Sequence, residues 1–195
     1  LTSFYDNFEQ ETLHPEWLSL RDTLGEDVLL KNNTLTIKGR PTTVEQEATP
    51  AFLGIRQTEK AESFTVNVAE ATAINDGQIG LLSLINDTHF AAILVKQQAD
   101  GFIVSRYQKV EDLTIEEILG TLDSTPTQFK LINRPATKTF LVTDGQKEQR
   151  FETSALHFSN EAIAALNTGD IQGMYALDNA EFVIESVQRQ TIDRE

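Results

Sequence analysis

Cysteine is absent from all 195 residues, which excludes disulfides, thiolate metal centres and cysteine nucleophiles, and with them side-chain redox chemistry. That absence leaves the compartment open, because exported proteins also lack cysteine. The opening LTSFYDNFEQ has neither the basic start nor the apolar centre of an export signal, so the cytoplasm is slightly favoured. Basic residues are scarce as well: 16 Lys and Arg stand against 30 Asp and Glu, for a net charge of −14. Such a surface repels nucleic-acid phosphates and anionic membranes alike, so neither is an expected partner. No apolar run is long enough for a membrane-spanning helix. The one tryptophan, Trp17, reads as a core plug.

The familiar catalytic signatures are missing too. There is no Gly-x-Ser-x-Gly elbow, no zinc-protease spacing, no phosphate-binding glycine loop and no helix-loop-helix calcium loop. Only three histidines occur. His14 precedes a proline, His89 adjoins a hairpin turn and His157 flanks a strand-to-helix connection, none of which is an expected place for a general base. Among 30 acidic residues some pair always suits glycoside hydrolysis, so the count selects none. No catalytic residue is assigned.

What the chain does contain is strand-sized apolar runs separated by turn residues. From Gly77 to Tyr107 the runs Ile79–Ile85, Phe90–Val95 and Phe102–Val104 are parted by Asn86-Asp87-Thr88 and Ala99-Asp100-Gly101, which predicts a three-stranded antiparallel meander. Its near-continuous apolar character places it at the centre of the fold, covered on both faces. Around it the pattern predicts a first strand carrying Phe4 and Phe8 and a hairpin turned at Asn32-Asn33. Further strands are expected at Ala51–Gln57, at Ser63–Glu70 with Phe64, Val66 and Val68 facing the core, and at Phe129–Ile132 returning through Phe140–Val142. Another turn is expected at Asp144-Gly145, and two closing strands at Ile171–Leu177 and Phe182–Val187. Glu111–Leu119 is read as a loop with one helical turn, and Ser159 as the cap of a short helix near 159–166. The fold class is all-β, a two-sheet antiparallel β-sandwich with that single short helix, expected as one domain over residues 1–195. The chain opens on Leu1 rather than methionine and is expected to be cut from a longer one.

Two groups of residues are candidates for binding. Asp6, near the first strand, and Glu181, near the last, become neighbours if the two ends of the chain meet, and their hard carboxylate oxygens suit a structural Ca²⁺. Tyr5, Tyr107 and Tyr175 are candidates for stacking on sugar rings, against a core or edge role for each.

Several stretches together resemble a known family. They are Phe4-Tyr5-Asp6-Asn7-Phe8 with Trp17 and Leu20-Arg21 downstream, Leu35-Thr36-Ile37-Lys38-Gly39, Ala51-Phe52-Leu53-Gly54-Ile55-Arg56-Gln57, Ile79-Gly80-Leu81-Leu82 with Asn86-Asp87 and Phe90, Thr168-Gly169 with Gly173-Met174, and Ala180-Glu181-Phe182. In this order they resemble the concanavalin A-like jelly-roll sandwich that follows the catalytic propeller in β-xylosidases and α-arabinofuranosidases of glycoside hydrolase family forty-three. The resemblance implies a non-catalytic accessory domain that packs on a catalytic β-propeller in cis, with xylo- or arabino-oligosaccharides as the sugars in play. It also implies that no cofactor is required, with a structural calcium between first and last strands in some members, where Asp6 matches the early aspartate and Glu181 replaces the late one. The paired aromatics that precede the Thr-Gly match, and that lend a wall to the substrate pocket, are replaced here by Leu166 and Asn167. The alternative function is a free-standing carbohydrate-binding module.

Overall fold

A computed structural model describes residues 3–158 and 169–193. In chain order its strands are β1 (Phe4–Asp6), β2 (Val28–Lys31), β3 (Thr34–Lys38), β4 (Ala51–Arg56), β5 (Glu62–Val68), β6 (Gln78–Asn86) and β7 (His89–Gln98). There follow β8 (Gly101–Val110), β9 (Leu113–Leu122), β10 (Gln128–Asn133), β11 (Thr137–Thr143), β12 (Glu148–Ser154), β13 (Ile171–Leu177) and β14 (Glu181–Thr191). They form two antiparallel sheets. The eight-stranded sheet runs β12-β11-β10-β5-β14-β3-β2, with β1 added on β14, and the six-stranded sheet runs β4-β13-β6-β7-β8-β9.

Local chemistry explains most of these elements. Asn32 and Asn33 both take positive φ, +54° and +58°, the conformation a tight two-residue hairpin demands and asparagine tolerates. The expected meander is β6-β7-β8, and β6 and β7 are buried on both faces over most of their length. Inward, Ile79, Leu81, Ile93 and Val95 join Phe64, Val66, Phe129 and Phe140 of the other sheet in the main core. Outward, Leu82, Leu84, Phe90 and Leu94 form a second apolar cluster with Val44, Phe52 and Tyr175. Trp17 is buried against Phe4 and Phe8, as its reading as a plug requires.

One expected element is corrected. The segment read as a loop with a helical turn at Glu111–Leu119 is, from Leu113 on, the ten-residue edge strand β9, paired along β8 from Val110↔Leu113 to Phe102↔Leu122. A register shift between Val104 and Ser105, with Gly120 at φ +155°, slips the side-chain alternation by one residue. Already before that slip Leu113 and Ile115 lie on one face and Ile118 on the other, all three exposed on the edge strand. Neither face therefore shows the alternation of a half-buried strand, and the spacing 113, 115, 118, 119 and 122 imitates a helix. The short helix near 159–166 lies outside the described residues.

The turn between β11 and β12 carries a tie to its neighbour. Asp144 accepts four backbone N–H bonds, from Asp123 and Ser124 at 2.9 and 3.1 Å and from Gln146 and Lys147 at 2.9 and 2.8 Å. Burial works against its charge, but these donors outweigh it and hold the carboxyl down to about 2. Replacing Asp144 with alanine is expected to cost about 2 kcal/mol, because buried donors are left unmatched. The group's folded pKa is depressed, so its contribution is complete above the ordinary carboxylate range near pH 4 and is lost as pH falls through about 2. Urea unfolding of the native chain and of Asp144→Asn should show a constant gap from pH 7 to about 4 that closes toward pH 2.

Candidate functional site

His14 is exposed with its ring against the edge of Phe4, and His157 lies in a 3-10 turn after β12. His89 is buried, its Nδ1 within reach of Asn86 Oδ1 and Thr88 Oγ1 and its Nε2 3.3 Å from Glu111, so it clips two neighbouring turns together.

The two carboxylates proposed for calcium are not brought together. β1 lies against the far half of β14, so Asp6 opposes Val187, whereas Glu181 opposes Lys38 of β3. Six residues of extended strand separate Glu181 from Val187, about 20 Å. Asp6 is also fully engaged: Oδ1 accepts from Phe8 N and Gln10 Nε2, both at 2.9 Å, and Oδ2 accepts the indole N–H of Trp17 at 2.8 Å. It organises the opening loop with three N–H donors, a set that does not fit a shared metal ligand. Among the described residues no cluster of three or more His, Asp or Glu is placed to hold a metal ion.

A polar chain crosses the core at one end of the sandwich. Glu62, Asn133 and Lys138 are lateral neighbours on β5, β10 and β11, and Gln172 faces them from β13 of the other sheet. Lys138 Nζ donates to Asn133 Oδ1 (2.7 Å), Asn133 Nδ2 to Gln172 Oε1 (3.0 Å) and Gln172 Nε2 to Glu62 Oε2 (2.8 Å). All four side chains are essentially inaccessible to solvent. The other oxygen of Glu62 accepts from Thr58 N, Thr58 Oγ1 and Glu59 N. Lys138 completes its three bonds on Gln57 Oε1 and Asp170 Oδ2 and lies 4.9 Å from the centre of the Phe158 ring. Burial still depresses its ammonium below the ordinary lysine value, against the pull of Asp170 and Glu62. Sequence reading named none of these residues, although a signal existed. Glu62 is in phase with Phe64 and Val66, Asn133 with Leu131, Lys138 with Phe140 and Gln172 with Met174, all core positions.

Of the three tyrosines, two converge. Tyr5 lies apart on β1, 62% exposed. Tyr107 and Tyr175 both face outward from the six-stranded sheet and line one groove of about 530 Å³. The strap Thr43-Val44-Glu45 forms one wall, β9 from Glu116 to Ile118 the other, and Phe90, Leu94, Ser105 and Tyr107 lie between. Tyr175 is buried, and its hydroxyl oxygen accepts the Val44 N–H at 3.0 Å. Tyr107 donates to Glu45 Oε1 at 2.5 Å, and Lys109 pairs with the other oxygen at 3.0 Å. Burial works against the Glu45 charge, but Tyr107 and Lys109 outweigh it and hold the carboxyl below its usual range. Burial and that carboxylate together push the Tyr107 hydroxyl far above an ordinary phenol. Burial likewise raises Tyr175 to about 12. Both hydroxyls therefore act as fixed hydrogen-bonding groups rather than as acids near neutral pH.

Comparison with known proteins gives one family. A family model described as the β-xylosidase C-terminal concanavalin A-like domain matches residues 5–183. Among solved structures, the GH43B protein of the Bacteroides ovatus xyloglucan PUL superposes with a TM-score of 0.79 at 20% identity, over 96% of this chain and 39% of that one. The GH43 protein BlXynB from Bacillus licheniformis gives 0.81 at 14% identity over 96% and 39%. The xylan β-1,4-xylosidase of Bacillus halodurans C-125 gives 0.81 at 15% over 95% and 38%. No curated protein sequence matches. At these identities the superpositions establish the fold, and the chain spans about two fifths of the length of each of the three.

Proposed function

The chain belongs to the family of β-xylosidase C-terminal concanavalin A-like domains, and from that membership we propose that it is the non-catalytic accessory domain of a glycoside hydrolase of β-xylosidase or α-arabinofuranosidase type. Its task is to pack on and stabilise a catalytic β-propeller carried in the same polypeptide. The observation that carries this reading is one of extent. Nearly all of the chain superposes on structures of which it covers only about two fifths, and the matching family is defined as C-terminal. The chemistry of the chain agrees, since His89 and the buried carboxylates Asp6, Glu62 and Asp144 are engaged in structural hydrogen bonds.

The test is made on the native polypeptide and on a form lacking this domain. Hydrolysis of an aryl β-xyloside and an aryl α-arabinofuranoside is followed in both, with the thermal transition of each. The chain alone is expected to be inactive, and its removal to lower the melting temperature or the activity of the remainder. Full activity and an unchanged transition after removal would refute the reading.

A further inference from the structure

We propose that the groove on the outer face of the six-stranded sheet binds a segment of neutral oligosaccharide. Its volume of about 530 Å³ falls within the range of small-ligand sites. The floor is apolar, with Tyr107 packed on Phe90 at a ring separation of 5.7 Å, and Ile118 stands 70% exposed on the β9 wall. Such a surface suits the C–H faces of sugar rings. The rim is rich in acceptors, and carboxylates take hydroxyl donors in strong, charge-assisted bonds.

The charges on that rim select the class of ligand. Glu45 is paired with Lys109 at 3.0 Å, and Glu116, directly opposite Tyr107 and in phase with Ile118, is the second carboxylate that faces the groove. Arg106 and Glu117 alternate to the other face, where the Arg106 guanidinium lies 4.7 Å from the centre of the Phe151 ring. A cationic peptide therefore finds one of the two groove carboxylates already neutralised, and Glu116 is left as an acceptor. An anionic ligand meets a chain of net charge −14 whose groove cation is already paired. A neutral polyol needs neither sign and uses the remaining acceptor positions. The groove is also pre-organised: the Tyr107–Glu45 bond fixes the ring and the strap together, and Tyr175 anchors the strap at Val44. The groove is argued from its own geometry, and only the choice of pentose sugars as probes rests on the accessory-domain reading above.

The test is a titration of the 195-residue chain with xylotetraose and with arabinotetraose, followed by ¹H–¹⁵N NMR. Saturable shifts are expected at the amides of Ser105, Tyr107 and Ile118. Ser105→Trp, which fills the floor, and Ile118→Lys, at an exposed position, are each expected to weaken binding about tenfold or more with the thermal transition retained. If the tryptophan variant does not fold, the lysine variant decides alone. No shift at these amides up to about 10 mM sugar overturns the proposal, as do shifts of equal size in the folded variants or equal shifts with tetralysine. Calorimetry on the native polypeptide must also show the binding, and its absence there overturns the proposal. Sugar binding without any effect of domain removal on the enzyme would refute only the accessory reading, and the converse result would refute only the groove.

Discussion

Replacing Lys138 with methionine is expected to lower the stability of the chain by about 3–4 kcal/mol, because removing one member of a buried charge pair strands the other. Among the described residues the ammonium is the group that donates to Asn133 Oδ1, Gln57 Oε1 and Asp170 Oδ2 together. Methionine fills much of the volume but leaves three acceptors without their donor. The chain of bonds has a direction, and this makes a sharper test. Lysine is donor-only and an ionised glutamate acceptor-only, so the amides of Asn133 and Gln172 between them can point one way only. Glu62→Gln turns one end into a donor facing the donor of Gln172, at an expected cost of about 2–3 kcal/mol. With both ends changed, the two amides are free to reverse and satisfy one another. The double variant should be less destabilised than the sum of the singles by about 1–2 kcal/mol, read by denaturant unfolding in a double-mutant cycle. Strict additivity would mean that the four residues do not act as one chain.

Alanine at Gly80 or Gly173 should be about as damaging, at about 3 kcal/mol each, because the obstacle is backbone and cannot rotate away. A Cβ on Gly80 would stand 1.9 Å from the Ile93 carbonyl oxygen, and one on Gly173 would stand 2.1 Å from that of Leu53 and 2.4 Å from the Cα of Gly54. Both glycines lie on the outward side of central strands, between the inward-facing Ile79 and Leu81 and between Gln172 and Met174. Gly173 lies directly opposite Gly54, and Gly80 opposite Tyr175. Thermal unfolding of the two variants checks this. Alanine at Gly145, whose added Cβ meets nothing within 4 Å, is the comparison: it carries only the backbone cost of its φ of +96°.

The strands that sequence reading placed correctly are those whose determinants are local. Asn32-Asn33 and Asp144-Gly145 set their turns through backbone conformations available to those residues, and the alternation of Phe64, Val66 and Val68 shows directly which face of β5 is buried. β9 was misread for an equally local reason: its apolar residues stand on both faces of an exposed edge strand, Ile118 out of phase with Leu113 and Ile115. The calcium pair failed at longer range. That the two ends of the chain meet was only a condition of that reading; the structure meets it by pairing β1 with β14, but along the far half of an eleven-residue strand, and this separates Asp6 from Glu181.

By itself, then, the sequence determined an all-β sandwich, its central meander and the family to which the chain belongs, because turn chemistry, side-chain alternation and motif order are all properties of neighbouring residues. Only the tertiary structure decided what the core and the outer face hold. Gln172 reaches Glu62 across 110 residues of chain, and Val44 reaches Tyr175 across 131. Contacts at that separation depend on sheet order and register, which are set by the packing of two whole sheets against each other and not by any one stretch of residues.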